Sequence, residues 1–371
     1  MTVGVDIRSL HVGQTGTRTV LQELCREFVL QQDKDCHFIF FSSPFPVYQG
    51  RNRFLLLLEH VRFQAWKQLV IPFCAWIKKC DIVFCADYFA PYIHLGYQTV
   101  QIYHDAFFYE YPEHYNTIWN WLIRHVAAPA ARRSAYIMVV SEYSRQRIHH
   151  FTGIPLEKLV VLSPGPKTLI TDPAKELPAR LRGIRSEQYI LHVGVMEKRK
   201  NLPALVRVFR RLTENGYPAL KLVLVGKGSG KKFSDDEPQV RETIIACNME
   251  KSVVLTGYLP DDEVALMYEK ALMYVFPSVN EGFGIPILEA FQYGIPVLVA
   301  DNTSLPETGG DAVLCFNPFD ENDMYAKMKQ VLDNEDMRTH LVMKGEERRK
   351  SFSWHRTAGR LIDLFRQADT H

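Results

Sequence analysis

NEGFGIPILEAFQYGIPVLVAD, residues 280–301, sets Glu281 and Glu289 eight residues apart around a Gly-x-Gly turn and the start of a helix. Gly282 and Gly284 leave the backbone bare. The chain is then expected to enter a helix over residues 285–291, whose first N–H groups lack partners within the helix and attract anions. Because Glu281 precedes that helix, the two carboxylates are expected at its two approaches rather than stacked on one face, each holding a different hydroxyl-bearing part of one ligand. Either glutamate alone reads better as a solvated residue of a βαβ turn in which Gly and Pro only permit a tight connection. The unbroken order of strand (272–276), Pro-Ser turn, acidic Gly loop, helix, Gly-Ile-Pro and buried strand (297–300) favours a site for a diphosphate joined to hydroxylated rings, a nucleotide sugar.

Outward from that stretch, short apolar strands alternate with longer periodic helices, the pattern of parallel sheets with crossover helices. Strands are expected near 3–7, 37–41, 82–85, 99–103, 136–140 and 159–162. After a proline-rich stretch they resume near 189–193, 221–225, 253–255, 273–276 and 297–300. Val20, Leu21, Leu24 and Phe28 recur on one helical face, and further helices are expected near 202–214, 239–249 and 261–269. The chain of 371 residues is long for one core, so two doubly wound domains are expected. The first covers 1–165, a linker 166–187, and the second 188–351. A Trp-containing amphipathic helix at 352–371 is free to cross back onto the first domain. In open α/β sheets ligands settle outside the carboxyl ends of the strands, so two such domains facing across a cleft would line it with strand-to-helix loops. Gly13 and Gly16, His104 and Asp105, and residues 196–201 all fall on such loops.

Composition narrows the function. Forty-four basic residues against 42 acidic give a net charge of +2, which supplies no field for nucleic acid. Seven cysteines, odd in number and without a Cys-x-x-Cys pair, read as reduced residues of a cytoplasmic protein. The first ten residues run straight into a short strand rather than a secretory leader. The apolar stretch 54–80 is interrupted by Glu59, His60, Arg62, Lys67, Pro72, Lys78 and Lys79, which rules out a spanning helix. An ordinary helix packed on a sheet and a basic, aromatic helix lying in the headgroup layer share this pattern. The first reading is preferred, and peripheral contact with a membrane surface stays open.

Seven segments carry a resemblance over nearly the whole chain: VGVDIRSL with TGTRTV, QIYHDAFFYEYPE, MVVSEYS, HVGVMEKRKNLPALV, LVLVGKG, the long run from LTGYLPDD to TGGDA, and FSWHRTA. In order and spacing they resemble the retaining glycosyltransferases of the GT-B fold, family four (glycosyl transferases group 1), bacterial polysaccharide mannosyltransferases among them. The resemblance implies that Glu289 binds the donor ribose, that Glu281 contacts the transferred sugar, and that backbone N–H groups at Phe283 and Gly284 meet sugar and phosphate oxygens next to Gly282. Lys200, with Arg199 beside it, would neutralise the leaving diphosphate. Charge that builds up on such a leaving group needs fixed cations, and two cations at a helix start oppose its dipole unless an anion joins them. One departure is Val195, where many relatives carry a phosphate-clamping arginine; Arg18, near Gly16, could replace it, although an exposed first-turn role is as good a reading.

A histidine at a strand end is ordinarily a hydrogen-bonded core residue, but the resemblance places that of the His104–Asp105 pair beside the donor sugar. Tyr109 and Tyr111, from an aromatic run that is otherwise core, are the candidates for an acceptor groove. Tyr258 reads equally as a base contact or as core. GKGSGKK at 226–232 lacks phosphate-loop spacing. His104, Asp105, Glu110, Glu113 and His114 have the right side chains but no known metal-ligand spacing, so neither metal nor cofactor is expected. The expected reaction moves a hexose from a nucleotide diphosphate sugar, GDP-mannose first and UDP-sugars next, to a hydroxyl of a glycan or lipid-linked oligosaccharide, with retention. Competing readings are a nucleotide-sugar epimerase or phosphorylase of like architecture, and a catalytically inactive partner subunit.

Overall fold

A computed structural model describes residues 1–11, 16–32, 34–48, 50, 52–169, 188–230 and 234–370. Most of the expected linker, Gly13, and Lys231 and Lys232 of the GKGSGKK segment lie outside these residues. Backbone contacts divide the chain into two compact units, Met1–Pro164 with Ser353–His371, and Gly165–Phe352.

The first unit is a six-stranded parallel sheet in the order β2-β1-β3-β4-β5-β6. Its strands are β1 (Thr2–Asp6), β2 (His37–Phe41), β3 (Ile82–Cys85), β4 (Gln98–Tyr103), β5 (Tyr136–Val139) and β6 (Leu159–Val161). β3 is buried at all four positions, as a strand covered on both faces must be, and its IVFC sequence therefore runs apolar without alternation. Helix Trp354–Asp369 packs on this sheet. Phe365 sits 5.9 Å from Phe28 and 5.5 Å from Phe84, ring centre to ring centre, and Thr357 Oγ1 donates to the Ser163 carbonyl at 2.6 Å.

Two helices of this unit widen into π turns, Trp66–Val70 and Ile123–Ala127, and each π turn ends two residues before a proline, Pro72 and Pro129. Proline cannot donate to the carbonyl four residues back and its ring collides with it. One extra residue in the preceding turn relieves the collision without ending the helix.

The second unit repeats the architecture in the order β12-β11-β10-β7-β8-β9. Its strands are β7 (Tyr189–Val193), β8 (Lys221–Val225), β9 (Val253–Gly257), β10 (Met273–Phe276), β11 (Val297–Ala300) and β12 (Val313–Phe316). Helix Leu202–Glu214 buries Leu205, Val206, Val208, Phe209 and Leu212 on one face, each such side chain contributing roughly 1.5–3 kcal/mol. Helix Glu237–Ala246 begins two residues before the expected start, because Pro238 is favourable in a first turn. β12 was not expected from the sequence: VLCF is short, and among the described residues it pairs with β11 alone, at the sheet edge. All seven cysteines are free thiols, and Cys36, Cys80, Cys85 and Cys247 are buried.

Candidate active site

In the second sheet the chain starts at β7, proceeds to β8 on one side and later returns to β10 on the other. The loops after β7 and β10 therefore diverge, which opens a crevice at the carboxyl ends of these neighbours. The β7 loop enters a short 3-10 turn, Lys198–Lys200, and Asn201 then takes a left-handed φ of 54° to start helix Leu202–Glu214. The β10 loop carries 277–284. At the crevice the two loops are tied together: the Val279 N–H donates to the Arg199 carbonyl at 2.8 Å, and Arg199 Nη1 donates to the Asn280 carbonyl at 3.2 Å.

Glu281 closes the cluster. Its Oε1 accepts from Lys200 Nζ at 2.6 Å and lies 2.5 Å from Arg199 Nη1, while Arg199 Nε donates to Glu197 at 2.9 Å. Lys200 is 6% exposed and Glu281 8%. Burial by itself would raise the Glu281 carboxyl, but Arg199 and Lys200 outweigh it and hold the group down at about 2. Burial pulls the Lys200 ammonium below its ordinary value, with Glu281 opposing, and Nζ stands 4.5 Å over the Phe276 ring. The anion that cations at this helix start require is thus supplied by the fold itself, by Glu281 with Glu197. The Arg199–Lys200 doublet does not by itself imply a bound phosphate, as the sequence suggested.

The Gly-x-Gly turn is shaped by contact. Gly284 has φ 103°, and a Cβ there would come within 2.9 Å of Leu305 and 3.1 Å of Ile287, so only glycine fits. Phe283 is buried, its carbonyl accepting from Thr308 Oγ1 at 2.6 Å. The Glu281 N–H donates to Thr303 Oγ1 at 3.3 Å, and Ser304 Oγ donates to the Glu281 carbonyl at 2.9 Å. Helix Ile285–Gln292 then starts with Pro286 in its first turn.

Glu289, on that helix, faces different partners. It is 6% exposed and accepts from the Tyr268 hydroxyl at 2.8 Å. Burial pushes its carboxyl up to about 7, with the Tyr268 bond and Lys167 working against the rise. Lys167 pairs with Asp261 at 2.5 Å; Glu289 meets helix Asp261–Glu269 through Tyr268, near its end, while Glu281 meets the β7 loop. Tyr274 on β10 feels both carboxylates. Tyr258, just ahead of Asp261, is 50% exposed.

In the first unit, His104 directly follows β4 and is half-buried, its Nε2 within 3.5 Å of the Ala86 carbonyl; burial takes its imidazolium down to about 4, so the ring is neutral at pH 7. Its carbonyl accepts from Ser144 Oγ at 3.1 Å, and Ser141 caps the same helix. Asp105 accepts from the Tyr88 hydroxyl at 2.7 Å and from the Phe107 N–H at 3.0 Å, which orients the chain past the strand end. Tyr109 stacks on Phe151 with ring centres 6.0 Å apart, packed against the β4–β5 core, and burial raises its phenol to about 12. Tyr111 stacks on His114 at 5.5 Å. Gly16 opens helix Gly16–Gln31 with open space around its Cα; Arg18, in the same turn, is partly exposed.

The structure thus gathers Arg199, Lys200 and Glu281 into one cluster, with Gly282, Phe283 and Gly284 in the adjoining turn, and seats Glu289 on the helix that follows. His104, Asp105, Tyr109 and Tyr111 belong to the other unit. Several neighbours escaped the sequence reading. Lys167 looked like linker and Tyr268 like an ordinary helix residue. His192, the penultimate residue of β7, is fully buried, its Nδ1–H donating to the Val275 carbonyl at 3.0 Å, and a Cβ at Gly194 would lie 3.5 Å from its Nε2 and 3.6 Å from Lys200 Nζ. The histidine ahead of the Gly194 turn is the only sequence signal among them.

Two models of glycosyltransferase domains match this chain: Glycosyltransferase Family 4 over residues 15–168 and Glycosyl transferases group 1 over residues 175–348. Together they run through most of its length, and the chain belongs to this family. Among curated relatives, it is 30% identical to the O-antigen chain mannosyltransferase B of Escherichia coli over 62% of this chain and 60% of that protein. It is 29% identical to the serotype-specific mannosyltransferase WbdA of Escherichia coli over 63% of this chain and 29% of that protein. The matches therefore span less than two thirds of these relatives. Among solved structures, sucrose-phosphate synthase from Thermosynechococcus elongatus superposes with a TM-score of 0.75 at 16% identity, covering 99% of this chain and 98% of that one. Anabaena HepE in complex with UDP-glucose gives 0.73 at 14% identity, covering 99% and 100%. The fold is GT-B.

Proposed function

We propose that this protein transfers a hexose from a nucleotide diphosphate sugar to a hydroxyl of a glycan or lipid-linked oligosaccharide in cell-surface polysaccharide synthesis. The observation that carries the reading is the crevice at the β7/β10 divergence, where the Gly282–Phe283–Gly284 turn, the Lys200–Glu281–Arg199 cluster and Glu289 on the helix that follows stand in succession. Within the second unit, Lys200 and Arg199 supply the positive charge that a departing nucleoside diphosphate needs. Glu289, with Tyr268 and Lys167 around it, is the acceptor for the ribose hydroxyls, and Tyr258 is exposed enough to meet the base. Gly282, Phe283 and Gly284 bring backbone to the diphosphate and sugar. Glu281 orients the transferred sugar while remaining ionised. From the first unit, the neutral His104 and its neighbour Asp105 are assigned to the sugar, and Tyr109 and Tyr111 to the acceptor side. Gly16 is assigned to the donor.

The mannosyltransferase relatives support mannose as the transferred sugar, and GDP-mannose is the donor proposed for it. A retaining reaction without a metal ion completes the reading: the leaving phosphate takes the acceptor proton on the face where the new bond forms, so no carboxylate nucleophile is required. Thermal-shift screening against GDP-, UDP-, dTDP- and ADP-sugars, followed by transfer assays and NMR of the product's anomeric proton, tests the donor and the stereochemistry. A bound ligand raises the midpoint by mass action. No midpoint shift with any of the four classes would remove the proposal, and release of free or epimerised sugar without an acceptor would replace it.

A further inference from the structure

We infer, resting on the proposed transfer reaction, that His192 is the positioning residue for Lys200: its Nε2 lone pair takes up the ammonium when Lys200 leaves Glu281 to meet the departing diphosphate. His192 is fully buried on β7, and its ring is fixed from two directions. Nδ1–H donates to the Val275 carbonyl on neighbouring β10 at 3.0 Å, and the ring stacks on Tyr274 with centres 6.1 Å apart and lies 5.8 Å from Phe276. Burial and the Lys200 charge pull the imidazolium down to about 3, so the ring is neutral at pH 7. A carbonyl can only accept, so the one ring proton sits on Nδ1 and Nε2 presents a bare lone pair.

Among the described residues that lone pair has no hydrogen-bond partner, a costly state for an acceptor this deeply buried. Gly194 gives its direction. A Cβ there would lie 3.5 Å from His192 Nε2 and 3.6 Å from both Cε and Nζ of Lys200, so acceptor and cation border the same point, and the glycine leaves the way between them open. An ammonium carries three N–H groups, and the 2.6 Å bond to Glu281 uses one. Lys200 Nζ also stands over the Phe276 ring that flanks His192, so the lysine and the imidazole share one wall of the crevice.

Neutrality suits the ring to this role. While Lys200 is paired with Glu281 its charge is cancelled, but a leaving diphosphate needs that charge for itself. A neutral acceptor orients one N–H of the ammonium and leaves the positive charge to the phosphate oxygens. A second carboxylate would cancel it again, and an apolar side chain would leave Nζ unheld. The imidazole exchanges no proton with the lysine and forms no bond to the sugar, so His192 acts through Lys200 and not on the substrate.

Three variants of the full chain separate an acceptor from a structural histidine. His192→Asn keeps an amide donor for Val275 and places nothing at Nε2, while His192→Gln returns an amide oxygen near that position. Gly194→Ala puts a methyl between Nε2 and Nζ at ordinary contact distance, so it folds. In steady-state transfer from GDP-mannose below the melting midpoints, kcat should fall at least ~10-fold in His192→Asn and Gly194→Ala, with donor KM within about 3-fold, and recover in His192→Gln. The double variant His192→Asn/Gly194→Ala should lose no more than the larger single loss, because both changes cut the same contact. Wild-type kcat in His192→Asn, no recovery in His192→Gln, or losses that multiply in the double variant each overturn the role of His192 while leaving the transfer reaction standing. A wild type that turns over no nucleotide sugar removes the transfer reaction, and this role with it.

Discussion

Lys200 Nζ and Glu281 Oε1 meet at 2.6 Å across 81 residues of sequence, at the point where the loops after β7 and β10 part. The pair is the counterpart in the second unit of Lys67 with Asp6 in the first, which also sits where the first strand's two neighbours diverge. In the first unit the buried lysine comes from a crossover helix and locks that helix to the sheet. In the second it comes from the strand-end loop itself, next to the turn assigned to the donor.

Replacing Lys200 by alanine should lower the transfer rate by about 10²-fold or more, since a cation facing a developing diphosphate is worth several kcal/mol in a water-poor site. Arg18→Ala should cost under about 10-fold. Steady-state kinetics on both variants decides, and equal small losses would defeat the assignment of Lys200 to the leaving group.

Glu281 carries an acid-side stability signature. Its carboxyl is held at about 2 against an ordinary 4.5, so its contribution is fully present above about 4.5 and fades as pH falls toward 2. Thermal midpoints followed downward from pH 6 should drop less steeply for Glu281→Gln than for the wild type. Parallel curves would show that the ion cluster contributes nothing to folding.

Glu289 has the opposite sign. With its carboxyl raised from 4.5 to about 7, the folded chain holds a proton that the unfolded chain releases, so stability declines as pH rises across that interval and levels off above it. Glu289→Gln is therefore expected to melt higher than the wild type at pH 8 while binding nucleotide sugars at least ~10-fold more weakly. Calorimetry on the variant checks both, and a lower melting point at pH 8 would contradict the burial argument.

Lys67→Met should destabilise the protein by about 3–5 kcal/mol, because it leaves Asp6 and Asp87 facing each other without their shared cation. Burial would lower the Lys67 ammonium, yet Asp6 and Asp87 raise it above its ordinary value, so the lysine is charged in the fold. Denaturant titration measures the loss. Adding Asp6→Asn to the Lys67→Met variant should recover part of it, and a further drop would mean that packing, not charge, dominates.

Transfer activity is expected to survive a chelator, because the proposal assigns the diphosphate charge to Lys200 and Arg199, which exchange their pairing with Glu281 for the leaving group. Loss in chelator that a divalent ion restores would assign the charge to a metal instead.

The sequence alone determined two doubly wound units and the positions of nearly all their strands, because strand and helix periodicities and the Gly and Pro punctuation are local properties. It also picked out Glu281, Gly284, Glu289 and Lys200, whose spacing within strand–loop–helix units is likewise local. Tertiary structure alone decided the partners. Lys200 is paired with a glutamate 81 residues away, Glu289 accepts a hydrogen bond from a tyrosine on another helix, and Lys67, read as an interruption in an apolar stretch, is fully buried between two aspartates. β12 belongs with these. Such features arise where distant segments cross at a sheet's edge or divergence point, and a pattern confined to neighbouring residues carries no record of which segments those are.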